Sequence, residues 1–264
     1  MRIYLPHNLD LDELIERNPV QIKAFKKDKL AYVINLLTIC NYPVEGLKTN
    51  FFIPLNSRKL KVVVNNYKAY LNYLIDSKVI KSDNYYRPGE KSKGYRLSKR
   101  YFTKIKVYLM EDFTLIQTLK REEKAKLKTV RTYKYLSNFF FNSKLEIDED
   151  YALKFIAEEY WLCSNEIKIC NERKNRCVNK YNNSMLTISK IKNQNFSLSI
   201  DNTSRRFHSN LTNLRSILRN TLTYNGEKLI SIDIKNSQPY LSLLLFNYDF
   251  WSKKKKKNKK KQNY

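Results

Sequence analysis

Glycine and histidine are scarce, with four and two residues in a chain of 264. There is accordingly no Gly-x-Gly-x-x-Gly fingerprint and no glycine-rich loop ahead of a Lys-Ser/Thr pair, which removes dinucleotide enzymes and P-loop ATPases from consideration. The two histidines, His7 and His208, form neither a His-Glu-x-x-His pattern nor a Ser-His-Asp ordering, so the common hydrolase arrangements go as well. Only four cysteines occur, without a Cys-x-x-Cys pair. Cys163, Cys170 and Cys177 recur at every seventh position. On one helix that spacing is a stripe rather than a shell around an ion, so they read as reduced packing residues of an intracellular protein. No apolar run reaches the roughly 18 residues of a membrane span. Met1-Arg2-Ile3-Tyr4-Leu5-Pro6-His7-Asn8 lacks the apolar core of a secretory signal. A cytoplasmic protein without a membrane partner is expected.

Negative charge is also in the minority, 25 Asp+Glu against 51 Lys+Arg, a formal +26. Removing the eight lysines of residues 253–261 still leaves 43 basic against 25 acidic residues, a formal +18, so the excess belongs to the body of the chain. Such an excess calls for a polyanionic partner, nucleic acid ahead of an anionic membrane surface. With 42% hydrophobic and 13% aromatic residues, the chain can bury one large or two modest cores, and two domains are expected.

In chain order, residues 9–17 and 20–40 have the apolar spacing of two packing helices, divided at Pro19 and followed by the punctuation of Pro43 and Gly46. Phe51-Phe52-Ile53-Pro54-Leu55 reads as a short strand. Asn56 or Ser57 can cap a helix with the stripe Leu60, Val63, Val64, Tyr67, Leu71 and Leu74. Strands around Val79-Ile80 and Tyr95-Arg96-Leu97 bracket a loop with Pro88-Gly89 at its turn. A helix followed by a basic hairpin resembles the end of a winged-helix domain. Arg87, Lys91, Lys93 and Arg96 are its candidate phosphate contacts, and Tyr85 and Tyr86 can stack on bases if the partner is single-stranded. A solvated hairpin with no ligand is the alternative.

Residues 113–141 form a charged, helical stretch suited to linking two halves. Asp148 is the expected N-cap of the next helix, and helix-start electrostatics accounts for Glu149 and Asp150 better than a metal does. Residues 171–183 read as an exposed turn or frayed helix end.

Near the C-terminus, Leu229-Ile230-Ser231-Ile232-Asp233-Ile234 reads as a buried strand carrying one carboxylate. The apolar run from Tyr240 reads as a helix capped by Asn236 or Ser237, with Pro239 in its first turn. A strand end, an acid and a helix start can together hold a divalent metal and phosphate oxygens; a turn or capping role for Asp233 is the alternative. Ahead of the strand come Arg205-Arg206-Phe207-His208-Ser209-Asn210-Leu211-Thr212-Asn213-Leu214, then Leu218-Arg219, then Gly226.

In order and spacing, residues 203–246 resemble the segment entering the first palm motif of family A polymerases. The resemblance implies that Arg206 matches the motif arginine and that Asn213 lies in the Asn-Leu-Gln-Asn counterpart. It pairs Arg219 with the arginine of Ile-Arg and makes Asp233 the catalytic, metal-binding aspartate, with Mg2+ or Mn2+ as cofactor. His208, Asn236, Ser237 and Gln238 join Arg206, Asn213 and Arg219 as candidate nucleotide or nucleic-acid contacts. Three residues separate Asp233 from Ser237-Gln238 where the family usually has one. Pro239 and Tyr240 stand where the sugar-selecting glutamate is expected, and Arg205 replaces the glycine before the motif arginine.

The lysine- and asparagine-rich residues 253–264 are expected to be disordered and to mark an A-rich coding tract prone to frameshift. A palm needs a second carboxylate, so the expectation is the front part of a longer polymerase of a phage or mobile element, binding nucleic acid but inactive as it stands. The expected fold class is α+β and mainly helical, with an N-terminal winged-helix-like unit and the beginning of a palm-like sheet. Its expected divisions are 1–110 (winged-helix-like), 111–145 (helical linker), 146–252 (helices leading into a partial palm) and 253–264 (tail). The expected partner is nucleic acid, DNA before RNA, with a nucleoside triphosphate if the palm is completed. The alternative function is a non-catalytic winged-helix DNA-binding protein, a replication initiator or transcriptional regulator.

Overall fold

The computed structural model describes residues 1–40, 51–130, 133–165, 171–201, 203–212, 214–230, 232 and 237–246. In chain order the first elements are β1 (Arg2–Pro6), α1 (Leu11–Arg17), α2 (Lys27–Thr38), β2 (Ile53–Pro54), α3 (Ser57–Val63), α4 (Tyr67–Asp76), β3 (Ile80–Ser82), β4 (Gly94–Leu97), β5 (Ile105–Leu109) and α5 (Phe113–Val130). There follow α6 (Lys134–Ser137), β6 (Leu145–Ile147), α7 (Glu149–Ser164), α8 (Asn171–Lys192), β7 (Ser199–Ile200), β8 (Phe207–His208), α9 (Ser216–Arg219), β9 (Leu222–Tyr224), β10 (Glu227–Lys228) and α10 (Ser237–Ser242). The fold is mixed α+β and predominantly helical, with several short antiparallel sheets.

The chain divides into two units, residues 1–228 and 229–264. Within the first lie two apolar cores. One gathers Leu30, Val33, Ile34 and Leu37 of α2 with Tyr70, Leu71 and Leu74 of α4 and with Ile80 and Leu97 of the β3–β4 pair. Expected from residue 20, α2 starts only at Lys27. Phe25 stacks on Tyr70 at 5.8 Å and Lys26 N donates to the Tyr70 hydroxyl, which holds the preceding segment out of helix. Asp28 is buried and accepts from the Tyr108 hydroxyl and from Glu111 N and Asp112 N, fixing the entry to α5.

The single helix expected from residue 57 to 74 is two. Asn56 caps α3 by accepting from Arg58 N and Lys59 N, and α3 ends at Val64, whose N–H donates to Leu60 O. Val64, Asn65 and Asn66 make the connection to α4. The stripe survives because Leu60, Val64, Leu71 and Leu74 all reach the core from two shorter helices.

The second core joins Leu145 and Ile147 of β6, Ala152 and Ile156 of α7, Ile188 and Ile191 of α8, and Leu214, Leu218 and Leu222. Asp148 caps α7 as expected, accepting from Tyr151 N at 3.0 Å. Residues 171–183, expected as a turn or frayed end, belong to the 22-residue α8. The cysteines depart from the single-stripe reading for the same reason. Helix α7 ends at Ser164, and Cys163 of α7 and Cys177 of α8 are joined as a disulfide, Cα–Cα 6.1 Å, so these two are not the reduced packing residues expected. Cys170 lies outside the described residues.

The two cores are tied together by β1, β5 and α8. Tyr4 of β1 donates its hydroxyl to Ser189 of α8 at 2.5 Å, and burial pushes the Tyr4 phenol up. Asn182 of α8 accepts from Ile105 N at 3.1 Å and donates to Thr103 O at 2.9 Å.

Beyond residue 228 the expected buried strand is not formed by the described residues. Ile230 is 87% and Ile232 85% exposed, and neither belongs to a strand. A β-branched run becomes a buried strand only with a pairing partner and a covering layer; the preceding strand, β10, is an outer strand of its sheet and ends at Lys228. The second unit contains α10 with Pro239 in its first turn, followed by a 3-10 turn at Leu243–Phe246.

Candidate nucleic-acid interface

The first candidate surface is built by α3, α4 and the β3–β4 hairpin. Burial of Leu60, Tyr70, Leu71 and Leu74 turns the opposite faces outward. On α3 these carry Arg58, Lys59 and Lys61; on α4 they carry Lys68, Asn72 and Asp76 at successive four-residue steps, one line along the helix. None of these positions was singled out beforehand. The signal that would have found them is Asn65-Asn66, a helix stop and start inside an otherwise continuous apolar stripe.

The three strands of this region are ordered β2-β4-β3, with Ile80 opposite Leu97 and Ser82 opposite Tyr95. Beyond Ser82 the hairpin narrows to an isolated bridge between Arg87 and Lys91. Its tip, Arg87-Pro88-Gly89-Glu90, closes with Glu90 N donating to Arg87 O and with Gly89 at φ +80°, the pattern of a type II turn in which proline and glycine take their favoured places.

Asp83 organises the base of the hairpin. It accepts from Tyr85 N at 3.0 Å and Gly94 N at 2.9 Å, and Lys91 Nζ stands 3.4 Å from its other oxygen. Burial pushes the Asp83 carboxyl up, but the two backbone donors and Lys91 outweigh it and hold the carboxyl below the usual aspartate range. Gly94 is required here, since a Cβ would come within 2.5 Å of Asp83 Oδ2 and 2.7 Å of Phe52 Cβ.

All four predicted phosphate contacts, Arg87, Lys91, Lys93 and Arg96, lie on this one hairpin, but three of them are engaged by neighbouring side chains, two of them within the hairpin. Arg87 pairs with Glu90 at 3.1 Å, Lys91 lies between Asp83 and the Tyr85 ring, and Arg96 lies 4.8 Å from the centre of the Phe52 ring. Only the Arg87–Glu90 pair is exposed on both sides, and a pair of that kind is worth on the order of 0–1 kcal/mol; the Asp83 side of the Lys91 pair is largely buried. Between the hairpin and residues 51–52 runs a cavity of about 530 Å³ lined by Phe51, Phe52, Ser82, Asp83, Tyr85 and Lys91.

The second candidate surface is the segment from Asp201 to Arg219. Asp201 accepts from Thr203 N, Ser204 N and the Ser204 hydroxyl, and these donors hold its carboxyl at about 2. The turn they define leads through Arg205, at φ +56°, into β8. Arginine thus adopts the left-handed conformation usual for glycine, so the tight turn forms without one. Arg206 and His208 follow on this hairpin, both exposed. Arg219 ends α9 and its Nε donates to Leu214 O at 3.1 Å. Asn213, Asp233 and Asn236 lie outside the described residues. Ser237 and Gln238 open α10 in the second unit, Gln238 exposed.

Sequence reasoning passed over Arg215, which makes a two-pronged contact with a carboxylate in this half. Both its terminal nitrogens donate to Glu159 of α7 at 2.7 Å, one also reaches Ser184 at 3.1 Å, and Lys180 approaches the same carboxylate at 2.6 Å. Burial raises the Glu159 carboxyl, but Arg215 and Lys180 outweigh it and hold it below the ordinary glutamate value.

Among the described residues no group of three or more His, Cys, Asp or Glu side chains is placed to hold a metal ion, and no helix is long and apolar enough to cross a membrane. Comparison with protein-family models, with curated proteins and with solved structures gave no match to this chain.

Proposed function

We propose that the chain is a nucleic-acid-binding protein whose residues 27–97 grip duplex DNA as a winged-helix-like unit. The observation that carries this reading is the succession α2, β2, α3, α4, β3, β4 combined with the strand order β2-β4-β3. Two helices joined by three residues suit a helix-turn-helix, and in such units the second helix enters the major groove while the first crosses the backbone. On α4 the outward Asn72 carboxamide suits an adenine edge and Lys68 a guanine edge or a phosphate. Arg58, Lys59 and Lys61 on α3 suit the flanking backbone. DNA is favoured over RNA because the deep, narrow major groove of an A-form duplex does not admit a helix. The formal +26 adds long-range attraction. Fluorescence anisotropy with a labelled duplex tests the proposal: binding should weaken linearly in log K against log salt, and Lys68→Ala with Asn72→Ala should weaken it at least tenfold. A chain that ignores duplex at low salt would sink it.

A second, enzymatic reading is favoured by the left-handed backbone of Arg205, at the place of the glycine in the polymerase-like segment. On it, residues 203–246 begin a family A-like nucleotidyltransferase palm that is inactive by itself, with Mg2+ or Mn2+ on Asp233 and nucleotide or nucleic acid near Arg206, His208 and Arg219. Asp233→Ala should then abolish metal-dependent nucleoside triphosphate binding and leave salt-sensitive DNA binding intact. If it changes neither, the metal role is wrong.

A further inference from the structure

We infer that the hairpin is a base-stacking device, and that the chain prefers duplex DNA adjoined by unpaired nucleotides. The inference rests on the duplex-binding reading above and adds to it the kind of DNA end that is recognised. A hairpin built to hold backbone would present free cations at its tip. Here residues 82–94 contain three cations and two carboxylates, and two of the cations are paired inside the hairpin, Arg87 with Glu90 and Lys91 with Asp83.

Aromatic surface is what the hairpin offers instead. Tyr86 is 62% exposed and stands next to the Pro88-Gly89 turn, whose fixed geometry leaves little freedom to lose on contact. The Tyr85 ring is steadied by Lys91 at 4.6 Å and Arg87 at 5.9 Å from its centre. Beside it the cavity of about 530 Å³ continues the aromatic wall with Phe51 and Phe52, within the roughly 300–1,000 Å³ usual for ligand pockets. Aromatic faces interleaved with Arg and Lys hold single-stranded bases, because every base has a face to stack whatever its sequence. A fully paired duplex offers no such face along its length. At its end, with α3 and α4 on the paired part, the hairpin meets the first unpaired nucleotides.

The full chain should be titrated against three labelled DNAs at one salt concentration: a blunt duplex, the same duplex with a six-nucleotide tail of either polarity, and the tail alone. One tailed duplex is expected to bind about 5- to 150-fold more tightly than the blunt one, the range given by stacking one base. Tyr86→Ala should bring that duplex down to the blunt level and leave blunt-duplex binding unchanged, while Tyr86→Phe should keep the preference. Equal binding of blunt and tailed duplexes, or an equal loss on both with Tyr86→Ala, overturns this inference and leaves the duplex reading standing. Failure to bind any of the three overturns both. Because Tyr86 lies on an exposed hairpin, circular dichroism of the variants should match that of the parent chain.

Discussion

The Asp83 carboxylate accepts the backbone N–H of Gly94 across the hairpin at 2.9 Å, and no side chain larger than hydrogen fits at Gly94 without displacing it. This contact sets where the hairpin leaves the sheet. Gly94→Ala is therefore expected to lower unfolding free energy by about 1–3 kcal/mol through overpacking against Asp83 and Phe52. Gly89→Ala, at φ +80° in open space, should lower it by about 1 kcal/mol from backbone strain alone. Urea titrations of the two variants separate the effects, since only Gly94→Ala should also shift the tyrosine near-UV signal.

Acid should loosen the same hairpin. The folded-state value of Asp83 is depressed, so its contribution is fully present above the unfolded aspartate value near 3.9 and is lost as pH falls through the lower folded value. Asp83→Asn should remove that part of the pH dependence, with a loss near neutral pH of about 1–2 kcal/mol. Amide hydrogen exchange at Tyr85 and Gly94 followed from above the unfolded aspartate value down into strong acid reports it locally; protection unchanged across the whole range would contradict the assignment.

The Glu159–Arg215 pair behaves alike in the other core. Its side chains are about a quarter exposed, and Lys180 remains beside Glu159 if the arginine is lost. Arg215→Met should then destabilise by about 2 kcal/mol, less than for a wholly buried pair. A double-mutant cycle with Glu159→Gln should return a coupling of about 1–2 kcal/mol. Since the Glu159 value is lowered in the folded chain, this stability too is present above the ordinary glutamate range and vanishes on acidification.

On duplex DNA, replacing Arg58, Lys61 or Lys68 singly with alanine should reduce the slope of log K against log salt by about 1 each. Glu16→Ala, on α1, should leave the slope unchanged. A slope that steepens with Glu16→Ala as much as it flattens with the other three would mean that the attraction comes from net charge and not from the α3–α4 face.

The Cys163–Cys177 bond encloses residues 164–176. Closing a loop of that size is worth about 3 kcal/mol in the chain-entropy model. Unfolding free energies with and without a thiol reductant, compared with those of Cys163→Ser, should differ by an amount of that order for the parent chain and by nothing for the variant.

Local chemistry was legible where one cue had one meaning. Asp148 was recognisable as a cap, Pro88-Gly89 as a turn, and the hairpin strands were found within a residue or two. Cues that depend on a distant partner were not. The strand at Arg2–Pro6 is recognisable only through Ile105–Leu109, and the heptad cysteines mean one stripe or two facing helices according to where the first helix ends, here at Ser164. Leu229 to Ile232 has strand composition, but composition supplies neither neighbour nor cover. At the candidate interface, residue types pointed to Arg87, Lys91, Lys93 and Arg96. The α3–α4 face went unseen because Lys68 and Asn72 acquire meaning only once the core side of each helix is fixed.

The pairing of the amino-terminal strand with residues 105–109 sets a timetable for synthesis. At about 5–20 residues per second, the ribosome delivers the second strand roughly 5–20 s after the first. Throughout that interval Ile3 and Leu5 have no sheet to join, so the nascent chain is exposed to holdase chaperones and to self-association until translation has passed residue 109.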